Sequence, residues 1–186
     1  MRFEQNLIYH IYNQGNNKQP IFFQERNYLF FLRKARTHIL PFVDILCYCL
    51  MPNHFHFLVA VKKPIITLAN SKTRGLNESI GLMLRSYTRA INKQEQRTGS
   101  LFRARTKAKN GWINDFLTLG SKDEHLLFKP DNDYARQCFY YIHQNPVEAR
   151  LVLKPEDWTF SSARDYSQLR KGTLCNQTLA KELLFL

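Results

Sequence analysis

The sequence predicts an α+β fold of the ferredoxin-like type, a βαββαβ chain forming a four-stranded antiparallel sheet with two helices on one face. Three observations predict it. Runs rich in β-branched and aromatic residues recur at 7–12, 42–50, 54–61 and 101–109. Two stretches, 25–38 and 76–94, repeat apolar residues at helical spacing. The two kinds of segment alternate in the order that this fold requires. A further helix carrying the adjacent tyrosines Tyr140 and Tyr141 follows, and then a tail. Residues 1–150 read as one domain and 151–186 as an extension packed on it.

Taken in order, Leu7 to Tyr12 is the first strand, stopped by the turn-rich run from Asn13 to Pro20. In the first helix Tyr28, Phe31, Leu32 and Ala35 recur at i, i+3, i+4 and i+7 and form its buried stripe. Pro41 closes that region, and the second and third strands follow on either side of Met51-Pro52-Asn53. Ile65 to Ala69 is a short apolar piece, and Asn70 to Gly75 reads as a loop. The second helix carries the stripe Ile80, Leu84, Tyr87 and Ile91, with Arg85, Arg89 and Lys93 at i, i+4 and i+8 on another face. Leu101 to Lys109 alternates Arg103, Arg105, Lys107 and Lys109 against Phe102, Ala104, Thr106 and Ala108, as a fourth strand would. This leaves one face of the sheet open for function. Within 111–130, residues 112–117 read as a short helix and 120–130 as a loop. The next helix starts near Asp131, Asn132 or Asp133, all good N-caps, and stops at Asn145, before Pro146. A last helix runs from Thr178 to Leu184.

The chain has 186 residues, 44% of them hydrophobic, enough for a core. No apolar run approaches the ~20 residues that span a bilayer, and the first residues lack a signal-peptide core. The expected location is the cytoplasm, without membrane association. Four cysteines, Cys47, Cys49, Cys138 and Cys175, lack the spacing of a small disulfide scaffold and read as free thiols. Net charge is +12, and ten basic residues between Lys72 and Lys109 face only Glu78 and Glu95, so that stretch holds +8 of it. Such a concentration suits a polyanionic partner. Arg85, Arg89, Lys93, Arg103, Arg105 and Lys107 are the candidate phosphate contacts; Tyr9, Tyr48 and Phe102 are candidates for stacking on bases.

His54 and His56 flank Phe55 on the third strand. Side chains two apart on a strand share a face, so the two imidazoles stand together and begin a metal site. A second metal reading is Cys47-x-Cys49-x4-His54-x-His56 as a Cys₂His₂ zinc site. Register separates the two. A three-residue turn at Met51-Pro52-Asn53 points both cysteines away from the histidines, whereas a two-residue turn puts all four on one face.

The string Met51-Pro52-Asn53-His54-Phe55-His56-Phe57-Leu58-Val59 resembles the His-hydrophobic-His motif of the IS200-like transposases, single-tyrosine nucleases of single-stranded DNA. The string Tyr141-Ile142-His143-Gln144-Asn145-Pro146-Val147 resembles that family's tyrosine helix. Spacing alone allows either Tyr141 with Asn145 or Tyr140 with Gln144, since each pair is i, i+4; the family string aligns Tyr141. Trp158-Thr159-Phe160-Ser161-Ser162 is similar to the Trp-x-x-Ser-Ser signature of the REP-associated tyrosine transposases. The resemblance implies Tyr141 as nucleophile, His54, His56 and Asn145 as ligands of Mg²⁺ or Mn²⁺, and single-stranded DNA beside a hairpin as substrate. It also implies nicking and rejoining through a 5′-phosphotyrosine, and a possible homodimer. The alternatives are a non-catalytic nucleic-acid-binding protein of the same fold and a zinc-stabilised RNA-binding module.

Overall fold

The structure, a computed structural model, describes residues 2–110 and 133–186. The expectations for 111–130 lie outside the described residues. Four strands, β1 (Ile8–Gln14), β2 (Val43–Met51), β3 (His54–Val61) and a late strand, build the main sheet. Two short strands, β4 (Ile65–Thr67) and β5 (Thr73–Gly75), pair as a separate hairpin where a loop was expected. The late strand, β6 (Lys107–Asn110), completes the sheet in the order β2-β3-β1-β6, every neighbouring pair antiparallel.

Helices α1 (Glu25–His38) and α2 (Leu76–Gln94) pack on the face of the sheet that carries Tyr9, Ile11, Phe55, Phe57 and Val59. The stripe residues Ile80, Leu84, Tyr87 and Ile91 are all buried there. An aromatic cluster fills the layer: Phe31 lies 5.0 Å from Phe55 and 4.9 Å edge-on to Tyr87. The Tyr87 hydroxyl, buried with its ring, donates to the Ile21 carbonyl at 2.7 Å. Asn27 starts α1 by accepting the Gln24 and Phe23 amides on its Oδ1, and its Nδ2 donates to Gln94 at the end of α2.

The second face is covered, not open. Helix α3 (Asp133–Glu148) and α5 (Gln177–Leu184) lie across it, burying Ala135, Cys138, Phe139, Ile142, Ala180 and Leu184 against Ile8, Leu46, Cys47 and Leu58. The sequence contains the reason: β2 is apolar on both faces, and Leu58 and Ala60 of β3 extend that surface beyond the two histidines, so this side too needs cover. α3 also continues two residues past Pro146, to Glu148, instead of stopping before it. Pro146 has no amide to donate to the Ile142 carbonyl, so the helix passes it with that one bond unmade by the backbone; beside it the Asn145 Nδ2 donates to the Tyr141 carbonyl at 2.8 Å.

The expected strand from Leu101 begins only at Lys107. Backbone pairing does reach this segment at Gly15–Phe102, with Arg103 N donating to Gln14 O, and it then lapses until Lys107; across the gap the Asn13 side-chain amide donates to the Arg103 carbonyl and the Thr106 hydroxyl.

The tail docks on the outer edge of β2. Leu50 N donates to Phe160 O, Ser162 N to Tyr48 O, Tyr48 N to Ser162 Oγ, and Asn176 N to Ile45 O. The Trp158 indole donates to Leu50 O at 2.9 Å. The 3₁₀ turn Pro155–Asp157 and the single-turn helix α4 (Ala163–Tyr166) frame this segment. Arg170 locks it, bonding both carboxylate oxygens of Asp165, the carbonyls of Thr159 and Ser161, and the Tyr48 hydroxyl.

Candidate active site

The β2–β3 turn has two residues, Pro52 and Asn53, so Met51 pairs with His54 and Cys49 with His56. Backbone bonds fix the turn: Ile21 N and Phe22 N donate to Pro52 O, and Gly15 N to Asn53 O. Asn53 Oδ1 lies 2.6 Å from His54 Nδ1. A carbonyl oxygen only accepts, so Nδ1 carries the proton, and in the neutral ring Nε2 is a lone pair. That Nε2 faces Asn145 Oδ1 at 3.4 Å. Asn145 presents its oxygen because its nitrogen is engaged by the Tyr141 carbonyl. Two acceptors therefore confront each other across a gap suited to a cation.

His56 adds a third donor. Its Nδ1 is 2.8 Å from His10 Nε2, and its Nε2 is buried with no hydrogen-bond partner among the described residues. Burial lowers the pKa of both His54 and His56, further for the more deeply buried His56, where the neighbouring His10 and His54 add to the effect, so both rings are held neutral. Neutral imidazole is the metal-binding form. Two imidazole nitrogens and an amide oxygen fit a divalent ion whose remaining positions go to water or phosphate oxygen.

Tyr141 stands over these rings, 5.7 Å and nearly perpendicular to His56, and 6.2 Å from His10. Burial raises its pKa, and a bond to Asn145 partly opposes the rise. Tyr140, one residue earlier, is 57% exposed. The structure thus brings together His54, His56, Asn145 and Tyr141, and turns Tyr140 outward.

The two-residue turn also places Cys47 and Cys49 on the histidine face. They do not assemble with it. Burial raises the pKa of both thiols, and among the described residues no group of three or more His, Cys, Asp or Glu could hold a metal. All four cysteines are free.

The basic residues divide. Lys107 pairs with Tyr12, and its ammonium lies 6.0 Å from the Tyr12 ring, on the histidine side. Arg103 and Arg105 are exposed in the segment just before it. Arg85, Arg89 and Lys93 are exposed on α2, across the sheet from the histidines. Tyr9, Tyr48 and Phe102 are core residues at 5%, 3% and 6% exposure, which leaves no ring face for a base. Sequence reasoning missed His10 and Tyr12. Both were visible as the alternate residues of the first strand, on the face opposite Tyr9 and Ile11. Tyr12 stacks on His10 at 4.9 Å and on His56 at 5.7 Å.

No protein-family model matches the chain, and no curated protein matches it. Among solved structures, a REP-associated tyrosine transposase bound to a REP hairpin superposes with a TM-score of 0.57 over 90% of this chain and 82% of that one. The two share a fold. Their sequence identity is 15%. No helix among the described residues is long and apolar enough to cross a membrane.

Proposed function

We propose that this chain is a metal-dependent tyrosine transposase or endonuclease that nicks and rejoins single-stranded DNA beside hairpins. One observation carries the reading: His54 Nε2 faces Asn145 Oδ1 at 3.4 Å, and the buried His56 ring, its Nε2 without a partner among the described residues, lies 4.9 Å from the His54 ring and 5.7 Å from that of Tyr141. The shared fold supports it.

Mg²⁺ or Mn²⁺, held by His54, His56 and Asn145, would supply charge neutralisation at the scissile phosphate. Tyr141 Oη attacks phosphorus as the bond to the 3′ oxygen breaks. The phenolic proton leaves, the departing 3′ oxygen gains one, and the 5′ phosphate stays on the enzyme as a tyrosyl ester. A 3′-OH attacking that ester reverses the step, and no ATP is consumed. Tyr141, like any tyrosine, is protonated at neutral pH, and burial raises its pKa further, so it needs activation at the site to act as a nucleophile. His54, His56, Asn145 and Tyr141 adjoin within one chain, which supports a tyrosine acting in its own subunit. A strand entering over the histidine side would meet Lys107, with the exposed Arg103 and Arg105 in the segment just before it. Arg85, Arg89 and Lys93 reach only DNA that wraps to the other side.

The test is a denaturing gel with labelled single-stranded hairpin DNA and Mn²⁺. The wild type and Tyr140→Phe should form a covalent adduct, and Tyr141→Phe and His54→Ala should not. Adduct formation by Tyr141→Phe would sink the assignment. No adduct from any form, across a pool of hairpins and metals, would favour the non-catalytic binding protein.

A further inference from the structure

We infer that His10 is a positioning residue that sets the tautomer of His56, a role that rests on the metal site proposed above. His10 and His56 are each 4% exposed, with rings 5.0 Å apart and Nε2 of one 2.8 Å from Nδ1 of the other. Two neutral rings in such contact share one proton, and two arrangements are available. In one, His10 Nε2–H donates to His56 Nδ1, and the remaining proton of His56 sits on Nε2. That proton would be buried with no acceptor among the described residues and would point where a cation belongs. In the other, His56 Nδ1–H donates to His10 Nε2, and His56 Nε2 is a lone pair aimed into the site. His10 then carries its own proton on Nδ1, 3.9 Å from Cys138 Sγ. Only the second arrangement avoids a stranded donor and prepares a ligand.

The contact also joins two elements. β1 supplies His10, β3 supplies His56, and Cys138 belongs to α3, one turn before Tyr141. His10 therefore ties the orientation of a metal-binding ring to the seating of the tyrosine helix. His54 achieves the same tautomer by a local device, the Asn53 side chain. His56 has its device on the neighbouring strand.

Tautomers are read directly by long-range ¹H–¹⁵N correlation of the imidazoles in the metal-free protein, which needs neither substrate nor turnover. Wild-type His56 should show protonated Nδ1 and a bare Nε2. His10→Leu should move the proton toward Nε2 and weaken Mn²⁺ binding, followed by electron paramagnetic resonance, by ~10–100-fold. His10→Gln, whose amide oxygen can still accept from Nδ1, should keep the wild-type tautomer and most of the affinity. A wild-type His56 protonated at Nε2, or a tautomer unmoved in His10→Leu, would overturn the inference. If His10→Leu does not fold, the wild-type and His10→Gln spectra still decide. The expected tautomer in a protein that forms no adduct would instead count against the nuclease reading alone.

Discussion

Ser162 Oγ lies 2.8 Å from His143 Nε2, joining the tail to the tyrosine helix at a buried point. The same hydroxyl accepts the Tyr48 amide and sits 3.1 Å from the Tyr48 carbonyl. Three elements meet at one oxygen: β2, α3 and the tail. Burial lowers the pKa of His143 to about 4, so its partner must satisfy a neutral ring. Ser162→Ala should cost about 1–3 kcal/mol by stranding buried polar atoms, read as a lower urea midpoint at an unchanged slope. An unshifted midpoint would show that the tail does not hold α3.

Asn145 has two jobs on its two ends, oxygen toward His54 and nitrogen to the Tyr141 carbonyl. Asn145→Asp keeps an oxygen and loses the donor. It should bind Mn²⁺ several-fold more tightly, through added negative charge, and unfold about 1 kcal/mol more easily. Titration calorimetry and thermal melts check the two effects separately. Weaker metal binding would place Asn145 outside the ligand set.

A Cβ on Gly172 would stand 2.5 Å from Asp165 Oδ1, the carboxylate that Arg170 grips. Gly172→Ala should therefore break the Asp165–Arg170 pair and destabilise by about 1–3 kcal/mol. Arg170→Lys should be comparably harmful, because one ammonium cannot reproduce the planar fork that reaches five acceptors. Circular dichroism melts compare both with the wild type.

Burial pushes the Tyr28 pKa up to about 12, and those of Tyr48, Tyr87 and Tyr166 rise further. Unfolded tyrosines ionise near pH 10. Above that the unfolded chain holds fewer protons than the folded one, so stability falls as pH rises. The contribution of Tyr28 is intact below pH 10 and lost between 10 and about 12. Tyr28→Phe should flatten the loss by about 1–2 kcal/mol in that window. Melting temperatures from pH 9 to 12 measure it.

If DNA follows the histidine face, Lys107→Ala should lower the salt slope of single-strand binding by ~0.7, one phosphate contact, and Arg89→Ala should leave it unchanged. Fluorescence anisotropy at several salt concentrations reads both. A larger effect at Arg89 would run the strand over α2.

Much of the fold was legible because its periodicities are clean. The sequence patterns of α1, α2 and β3 give the observed limits, and both helix stripes face inward. The errors share a cause. Strand patterns show which residues share a face, and not what covers it. Tyr9, Tyr48 and Phe102 looked available for bases and are packed under α1 and α2. The opposite face looked open and is roofed by α3 and α5. Pro146 lies inside α3, two residues before its end, where the helix can pass a proline at the cost of one backbone bond. At the site, the spacing of His54 and His56 and of Tyr141 and Asn145 was readable. His10 was not singled out, because its partner lies 46 residues away on another strand.

The docking of the tail on β2 has a consequence for how this protein keeps company. β2 ends the sheet on one side, and an unprotected outer strand invites pairing by any extended chain that meets it. Here Tyr48 and Leu50 already give their outward amides to Ser162 and Phe160, and Ile45 gives its carbonyl to Asn176. The same segment that braces the tyrosine helix thus guards β2 against sheet-to-sheet self-association. Truncation before Trp158 should yield a protein that aggregates through that edge.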